Sequence, residues 1–219
     1  MNVQQKKENL RRRIWKLLTE KGVAIHPLPC FGRIPNFKGS YEAAKNLSET
    51  EEWKNAETIV CNPDFAQRWV RFLALKEGKV VIMATPRLKK GYLILHPQEV
   101  KGREKVASTI RGAFRFGKRM EGNVKPDLIV TGCVAVDLKG NRLGKGGGYG
   151  DREIRKFRET FGHILVATTV HELQIVENIP TEPHDEKIDL IATPERVIRL
   201  YPTSCSHGID DSSDGQNVC

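Results

Sequence analysis

At 219 residues the chain is long enough for one sizeable α/β domain or two small ones, and 39% apolar with 29% charged residues is ordinary globular composition that argues against disorder. No apolar run approaches the roughly 18 residues a membrane helix needs, and the Lys/Arg-rich N-terminus lacks the apolar segment of a secretory signal, so a cytoplasmic protein with no membrane partner is expected. The net charge is +9, and residues 1–200 carry +12 because the acids Asp210, Asp211 and Asp214 stand in a tail without Lys or Arg; a basic body suits a nucleotide, a polyglutamate tail or nucleic acid.

Residues 4–21 read as a helix. Leu10, Ile14, Leu17 and Leu18 form one apolar stripe, and Gly22 ends it. Lys7 falls off that stripe. Lys7 and Arg11 are one turn apart, so both heads leave the same side of the helix, and their mutual repulsion is relieved if an anion sits between them. A solvated basic face with Arg12, Arg13 and Lys16 is the competing reading. Residues 23–39, rich in Pro and Gly, read as a loop. Ser40 reads as the N-cap of a helix through Leu47. A short β-run at Glu57–Cys61 is followed by a helix from Pro63 to about Lys76, and Lys79–Ala84 has the continuous apolar character of a buried strand.

Residues 87–119 hold ten Lys/Arg and two Glu, with Phe114 and Phe116 between them. Basic residues with interleaved aromatics suit RNA, or form the rim of an anion site. Further strands are expected at Leu128–Thr131, Val134–Asp137, Ile164–Val170, Ile188–Ala192 and Val197–Leu200, with a helix start within Gly147–Phe161. Strands alternating with helices predict an α/β fold, a mainly parallel sheet covered on both faces. The expected organisation is one domain over residues 1–200 and an acidic, flexible tail over 201–219. The five cysteines form no C-x-x-C pair, so neither a zinc site nor a redox motif is indicated. His26, His96, His163 and His171 show no ligand spacing.

The densest signal is Asp137-Leu138-Lys139-Gly140-Asn141-Arg142-Leu143-Gly144-Lys145-Gly146-Gly147-Gly148-Tyr149-Gly150-Asp151. Gly140-Asn141 suits a tight turn after a strand. The glycines leave backbone N–H groups free to converge on an anion, and a following helix adds its dipole. Arg142 and Lys145 supply positive charge for phosphate oxygens. Asp151, an acid at the mouth of a basic loop, suits Mg²⁺ held against phosphates. The pattern is neither the P-loop nor the dinucleotide fingerprint, and a flexible surface loop is the plain alternative.

Residues 141–151 resemble the ATP loop N-R-L-G-x-G-x-G-Y-Y-D of 5-formyltetrahydrofolate cyclo-ligases. Gln174, Val176, Pro180, His184-Asp185 and Asp189 resemble the family's downstream Q-x-V…P…H-D…D segment, and Lys7-Glu8-Asn9-Leu10-Arg11 is similar to its K-x-x-L-R. The resemblance covers about 125–200 in order, with the N-terminal motif added. It implies a three-layer α/β/α fold of the NagB/ribose-isomerase/CoA-transferase group. It implies ATP contacts from Lys7, Arg11, Arg142, Leu143, Gly144, Lys145, Gly146, Gly147, Gly148, Tyr149 and Gly150, and magnesium contacts from Asp151 and Asp185. The implied reaction is ATP- and Mg²⁺-dependent cyclisation of 5-formyltetrahydrofolate or a related formyl-pterin to the 5,10-methenyl form.

Two departures stand out. Gly150 replaces the second tyrosine of Y-Y-D, and the E-x-D/E-T motif whose glutamate contacts the pterin is absent. The segment Arg33–Tyr41 stands in its place and resembles the divergent methenyltetrahydrofolate synthetase domain-containing branch. Arg33, Lys38 and Tyr41 are candidate substrate contacts, with a structural loop as the alternative. A non-catalytic nucleotide- or RNA-binding module of the same fold is the second functional expectation.

Overall fold

The computed structural model describes residues 2–201. The acidic tail expected from the sequence lies outside the described residues from position 202 onward. Helix α1 (Val3–Glu20) is capped by Asn2, whose side chain accepts from the Gln5 N–H at 2.9 Å. Its buried face is Lys7, Leu10, Arg11, Ile14, Trp15 and Leu18. Lys7 and Arg11 therefore lie on the stripe, not beside it, and Trp15 takes the place expected of Leu17. The two cations can be buried there because each finds an acceptor.

Strands β1 (Ala24–Ile25) and β2 (Asn36–Phe37) pair in a small antiparallel ribbon. Helix α2 (Ser40–Ser48) is capped by Gly39, not Ser40: Gly39 has φ 88°, and a Cβ there would meet Pro194 Cγ at 2.5 Å. Helix α3 (Glu51–Lys54) leads into β3 (Thr58–Cys61). Helix α4 (Arg68–Lys76) starts after a 3₁₀ turn at Phe65–Gln67, later than Pro63. The Arg71 guanidinium accompanies the delay: it donates to the carbonyls of Asn62 and Pro63, and also to that of Asp64, which closes the 3₁₀ turn by accepting from the Gln67 N–H at 3.2 Å.

The chain continues through β4 (Val80–Ala84), β5 (Tyr92–Leu95), α5 (Glu104–Ala107), α6 (Ile110–Phe116), β6 (Lys118–Arg119) and β7 (Leu128–Thr131). Then follow β8 (Ala135–Asp137), β9 (Arg142–Leu143), α7 (Tyr149–Phe161), β10 (Leu165–Thr169), β11 (Ile175–Val176), β12 (Leu190–Ala192) and β13 (Val197–Arg199). Eight strands make one sheet in the order β13-β12-β10-β7-β3-β4-β5-β6. The five from β12 to β4 are parallel, and β13, β5 and β6 add antiparallel edges.

Side-chain alternation gives each strand of this sheet to two cores. Ile59, Cys61, Val81, Met83, Leu128 and Val130 face α2 to α6. Val60, Ile82, Ala84, Ile129 and Val166 face α7 through Ile154 and Phe157. The result is a layered α/β architecture with a mainly parallel central sheet.

The run Val134–Asp137 does not join that sheet. Strand β8 pairs with β9 and β11 in a separate three-stranded sheet, and α1 packs against this unit through Leu10, Ile14, Val134, Ala135 and Leu143. Buried Asp137 holds the sheet's turn: its carboxylate accepts from the backbone N–H groups of Lys139, Asn141 and Ile179 and from the Asn141 side chain.

Candidate functional site

Chain order reverses between β3 and β7. From β3 the sheet grows through β4 in one direction, and from β7 through β10 and β12 in the other. In open parallel sheets the crevice outside the carboxyl ends at such a point is where ligands bind. A cavity of about 410 Å³ opens there, lined by Asn62 after β3, Thr85 after β4 and Gly132 after β7.

The glycine loop forms one wall. It leaves β9 at Leu143 and enters α7 at Tyr149, and Gly144, Lys145, Gly147, Gly148, Gly150 and Asp151 line the cavity. Gly146 and Gly148 take φ values of 107° and 64°, a left-handed path that side-chain-bearing residues rarely follow. Gly148 caps α7 without a side-chain acceptor, so the first turn of a 13-residue helix carries no side-chain cap. Tyr149 is 38% exposed, with the Arg152 guanidinium 4.7 Å over its ring.

Cations and carboxylates pair on and behind this wall: Arg142, Lys145, Asp64 and Asp151 line the cavity, whereas Lys7, Arg11, Glu182 and Asp185 are not among its lining residues. Arg142 Nη2 lies 2.8 Å from Asp151 Oδ1, off the line of a hydrogen bond. Lys145 Nζ reaches Asp64 Oδ1 at 2.8 Å across the cavity lining. Arg11 Nε donates to the Gly144 carbonyl at 2.7 Å, and its guanidinium is the nearest group to a Cβ built on Gly146. Lys7 Nζ contacts Asp185 Oδ2 at 2.6 Å and Glu182 Oε2 at 2.9 Å. The Glu186 N–H donates to Asp151 Oδ1 at 3.1 Å, which ties the loop bearing Asp185 to the start of α7. Glu182, His184 and Asp185 bring potential ligand atoms within 4.8 Å of one another. Asp151 and Asp185 are thus two carboxylates on neighbouring segments, each neutralised by a cation.

The remaining sequence candidates separate. Leu143 is buried in the core under α1 and serves packing. Arg33 lines the cavity. Lys38 is exposed and Tyr41 stacks edge-on against Trp69 at 5.2 Å, both away from the cavity lining. A phenol that finds an aromatic partner on α4 follows the structural-loop alternative.

At Gly150 an added Cβ would stand 2.6 Å from Arg142 Nη2 and 3.0 Å from its Cζ, so a side chain at 150 requires the guanidinium to shift from the position it holds here.

Among the cavity residues that no sequence motif marks are Asn62, Asp64 and Glu153. Glu153 is 2% exposed and lies in the first turns of α7. Burial pushes its carboxyl up to about 7, against the opposing pull of the Asn62 hydrogen bond and the Arg142 charge. The signal in the sequence was available: Glu153 shares the buried face of Ile154 and Phe157, where an acid is out of place. Burial also raises the thiols of Cys61, to about 12, and Cys133, to about 11, so both stay protonated and neither serves as a nucleophile at neutral pH.

The sequence model of the 5-formyltetrahydrofolate cyclo-ligase family matches residues 3–194. A methenyltetrahydrofolate synthase domain-containing protein of Mus musculus is 38% identical over 204 residues, covering 88% of this chain and 54% of the relative. A probable 5-formyltetrahydrofolate cyclo-ligase of Schizosaccharomyces pombe is 28% identical over 177 residues, covering 73% of this chain and 86% of that one. The chain spans about half the length of its synthase domain-containing relatives. Among solved structures, the NMR structure of Aquifex aeolicus 5,10-methenyltetrahydrofolate synthetase superposes with TM-score 0.59 at 22% identity, over 94% of this chain and 99% of that one. That likeness bears on the fold.

Proposed function

We propose, from the premise that the chain belongs to the 5-formyltetrahydrofolate cyclo-ligase family, that it uses Mg-ATP to close 5-formyltetrahydrofolate, or a related formyl-pterin, to the 5,10-methenyl form. One observation carries this reading. A glycine loop and the N-terminus of α7 line a cavity at the switch point of a parallel sheet, with Arg11 and Arg142 against the loop.

A formamide oxygen is a poor leaving group, so the reaction needs activation. In the proposed sequence the formyl oxygen bonds to the γ-phosphorus and ADP leaves. N10 then adds to the formyl carbon, gives up its proton, and the bond from that carbon to the phosphorylated oxygen breaks to release phosphate. Phosphoryl transfer asks a protein mainly for alignment and charge stabilisation, and no protein nucleophile is required. On this reading Arg11, Arg142, Lys145 and Lys7 neutralise phosphate oxygens, and the N–H groups of the glycine loop orient them. Mg²⁺ supplies charge neutralisation at the phosphates when bound. Asp151 and Asp185 are the residues to hold it, since both are carboxylates already balanced by positive charge. The exchange would release Arg142 for phosphate contacts and leave Lys7 with Glu182 alone as its acid partner.

The deciding measurement is phosphate release from Mg-ATP with and without 5-formyltetrahydrofolate, alongside the absorbance of the methenyl product. Folate-dependent release with one methenyl group per phosphate is expected. Release that ignores the folate would reject the assignment.

A second reading is favoured by the basic segment 87–119. Phe114 is 42% exposed, and Lys90 Nζ stands 5.8 Å from its ring centroid. A non-catalytic nucleotide- or RNA-binding module would retain Mg-ATP without turnover and would retard single-stranded RNA in a salt-dependent manner.

A further inference from the structure

Glu153 sets an unusual chemical problem. It lines the cavity, yet it is almost wholly shielded from water. The Asn62 side-chain amide donates to Glu153 Oε2. That amide cannot turn round, because its Oδ1 accepts from Thr131 Oγ1 at 2.8 Å and from the Gly132 N–H at 3.0 Å. Asn62 thus holds the carboxylate in one orientation from the end of β3. Glu153 Oε1 finds no hydrogen-bond partner among the described residues.

A buried acceptor left without a donor costs about 1–3 kcal/mol. Such a group inside a ligand-sized cavity points to a donor that arrives with the ligand. An ionised carboxylate only accepts, and its two oxygens suit two adjacent donors. The two heterocycles of the proposed reaction differ in this respect. A pterin offers its exocyclic 2-amino group beside the ring N3–H, a donor–donor edge. Adenine sets its amino donor beside the ring acceptor N1, which a carboxylate would repel. Oε2 keeps a second lone pair while accepting from Asn62, so the carboxylate has capacity for both donors once the enclosed Oε1 is opened to the cavity.

We propose that Glu153, oriented by Asn62, is a specificity-determining residue that accepts from the 2-amino and N3–H donors of a 2-amino-4-oxo pterin in this cavity. The assignment rests on the folate reading given above. It also supplies a carboxylate to a cavity whose sequence lacks the E-x-D/E-T glutamate. In its ionised form the same acceptor pair excludes adenine from this position, which leaves the nucleotide to the glycine loop through its phosphates.

The test is calorimetric titration of wild type and Glu153→Gln with 5-formyltetrahydrofolate and, separately, with Mg-ATP. The amide keeps size and a contact to Asn62, but turns one acceptor into a donor. Folate affinity is expected to fall about tenfold or more, with Mg-ATP affinity held within about twofold. The analogue lacking the 2-amino group should bind wild type about tenfold more weakly than the parent, and should lose little further in Glu153→Gln. Unchanged folate affinity in the variant would overturn the proposal, as would an equal loss for both ligands, which is the mark of a structural role. Should the variant not fold, the analogue decides on wild type: undiminished affinity rejects a donor–donor contact. Wild type that binds Mg-ATP but no 5-formyltetrahydrofolate would overturn the folate reading and this inference with it.

Discussion

Lys7 Nζ sits 2.6 Å from Asp185 Oδ2, joining residues 178 positions apart. The cation expected to meet phosphate is therefore already committed to an acid, and so are Arg142 with Asp151 and Lys145 with Asp64. Anion binding at this wall is an exchange of partners, not attraction to bare charge. A metal ion on Asp151 and Asp185 would free Arg142 and remove one of the two acids that hold Lys7, so metal and nucleotide should bind with positive coupling.

Replacing Lys7 by alanine removes one side of this arrangement. The ammonium is buried, and Asp185 would lose its charged donor. The unliganded protein should lose about 1–2 kcal/mol and melt about 2–8 °C lower. Calorimetry in the presence of Mg-ATP should show less ligand stabilisation than in wild type. An unchanged melting temperature would mean that the pair contributes nothing net to the fold.

Asp151→Asn tests the metal role. The amide keeps an oxygen for the Glu186 N–H and removes the charge opposite Arg142. Melting without ligand should move by only a few degrees, while the stabilisation given by Mg-ATP should largely disappear. Equal Mg-ATP stabilisation in both proteins would leave Asp151 as a partner of Arg142 alone.

Gly150→Ala separates helix propensity from site geometry. Alanine favours an α-helix over glycine by about 1 kcal/mol, and residue 150 lies in the first turn of α7. The added Cβ would meet the Arg142 guanidinium and push it away from Asp151. Mg-ATP affinity should fall while stability changes by less than about 1 kcal/mol in either direction. Undiminished affinity would show that Arg142 can shift without consequence for the nucleotide.

Glu52 sets an acid limit on stability. Burial works to raise its carboxyl, but hydrogen bonds from Arg199 and Tyr201 prevail and lower it to about 2. A group whose folded value lies below the unfolded one binds fewer protons when folded. Its contribution is complete above about pH 4.5 and is lost as pH falls toward 2. Urea titrations of Glu52→Gln should show lower stability than wild type at pH 7 and a difference that narrows steadily below pH 4.5.

The parallel core was legible because its strands are short apolar runs that alternate with helices. The sequence also placed a glycine loop between a strand and a helix. What it could not assign was partnership. Val134–Asp137 reads as another strand of the same kind, and only the hairpin at Gly140 and the pairing with Ile175–Val176 put it in a second sheet. Tyr92–Leu95 was masked by its basic surroundings, although it pairs antiparallel to β4. Periodicity puts Lys7 off the apolar stripe, because its acceptors stand at 182 and 185, beyond the reach of any local pattern. Glu153 stands among Asp151, Arg152 and Arg155, which hide the one cue to its burial, the face it shares with Ile154 and Phe157.

The docking of α1 carries a consequence for how the chain is made. Its residues are synthesised well before Gly144, Glu182 and Asp185, which receive Arg11 and Lys7. During elongation the helix can meet only the early part of its cluster, Cys30, Ile34, Phe37, Ala43 and Ala66, while Val134, Ala135, Leu143 and Ile179 are still missing. Closures over such long separations are slow and leave surface open to aggregation. A nascent chain halted before about residue 140 would therefore hold this helix only partly covered, with Lys7 and Arg11 lacking Gly144, Glu182 and Asp185.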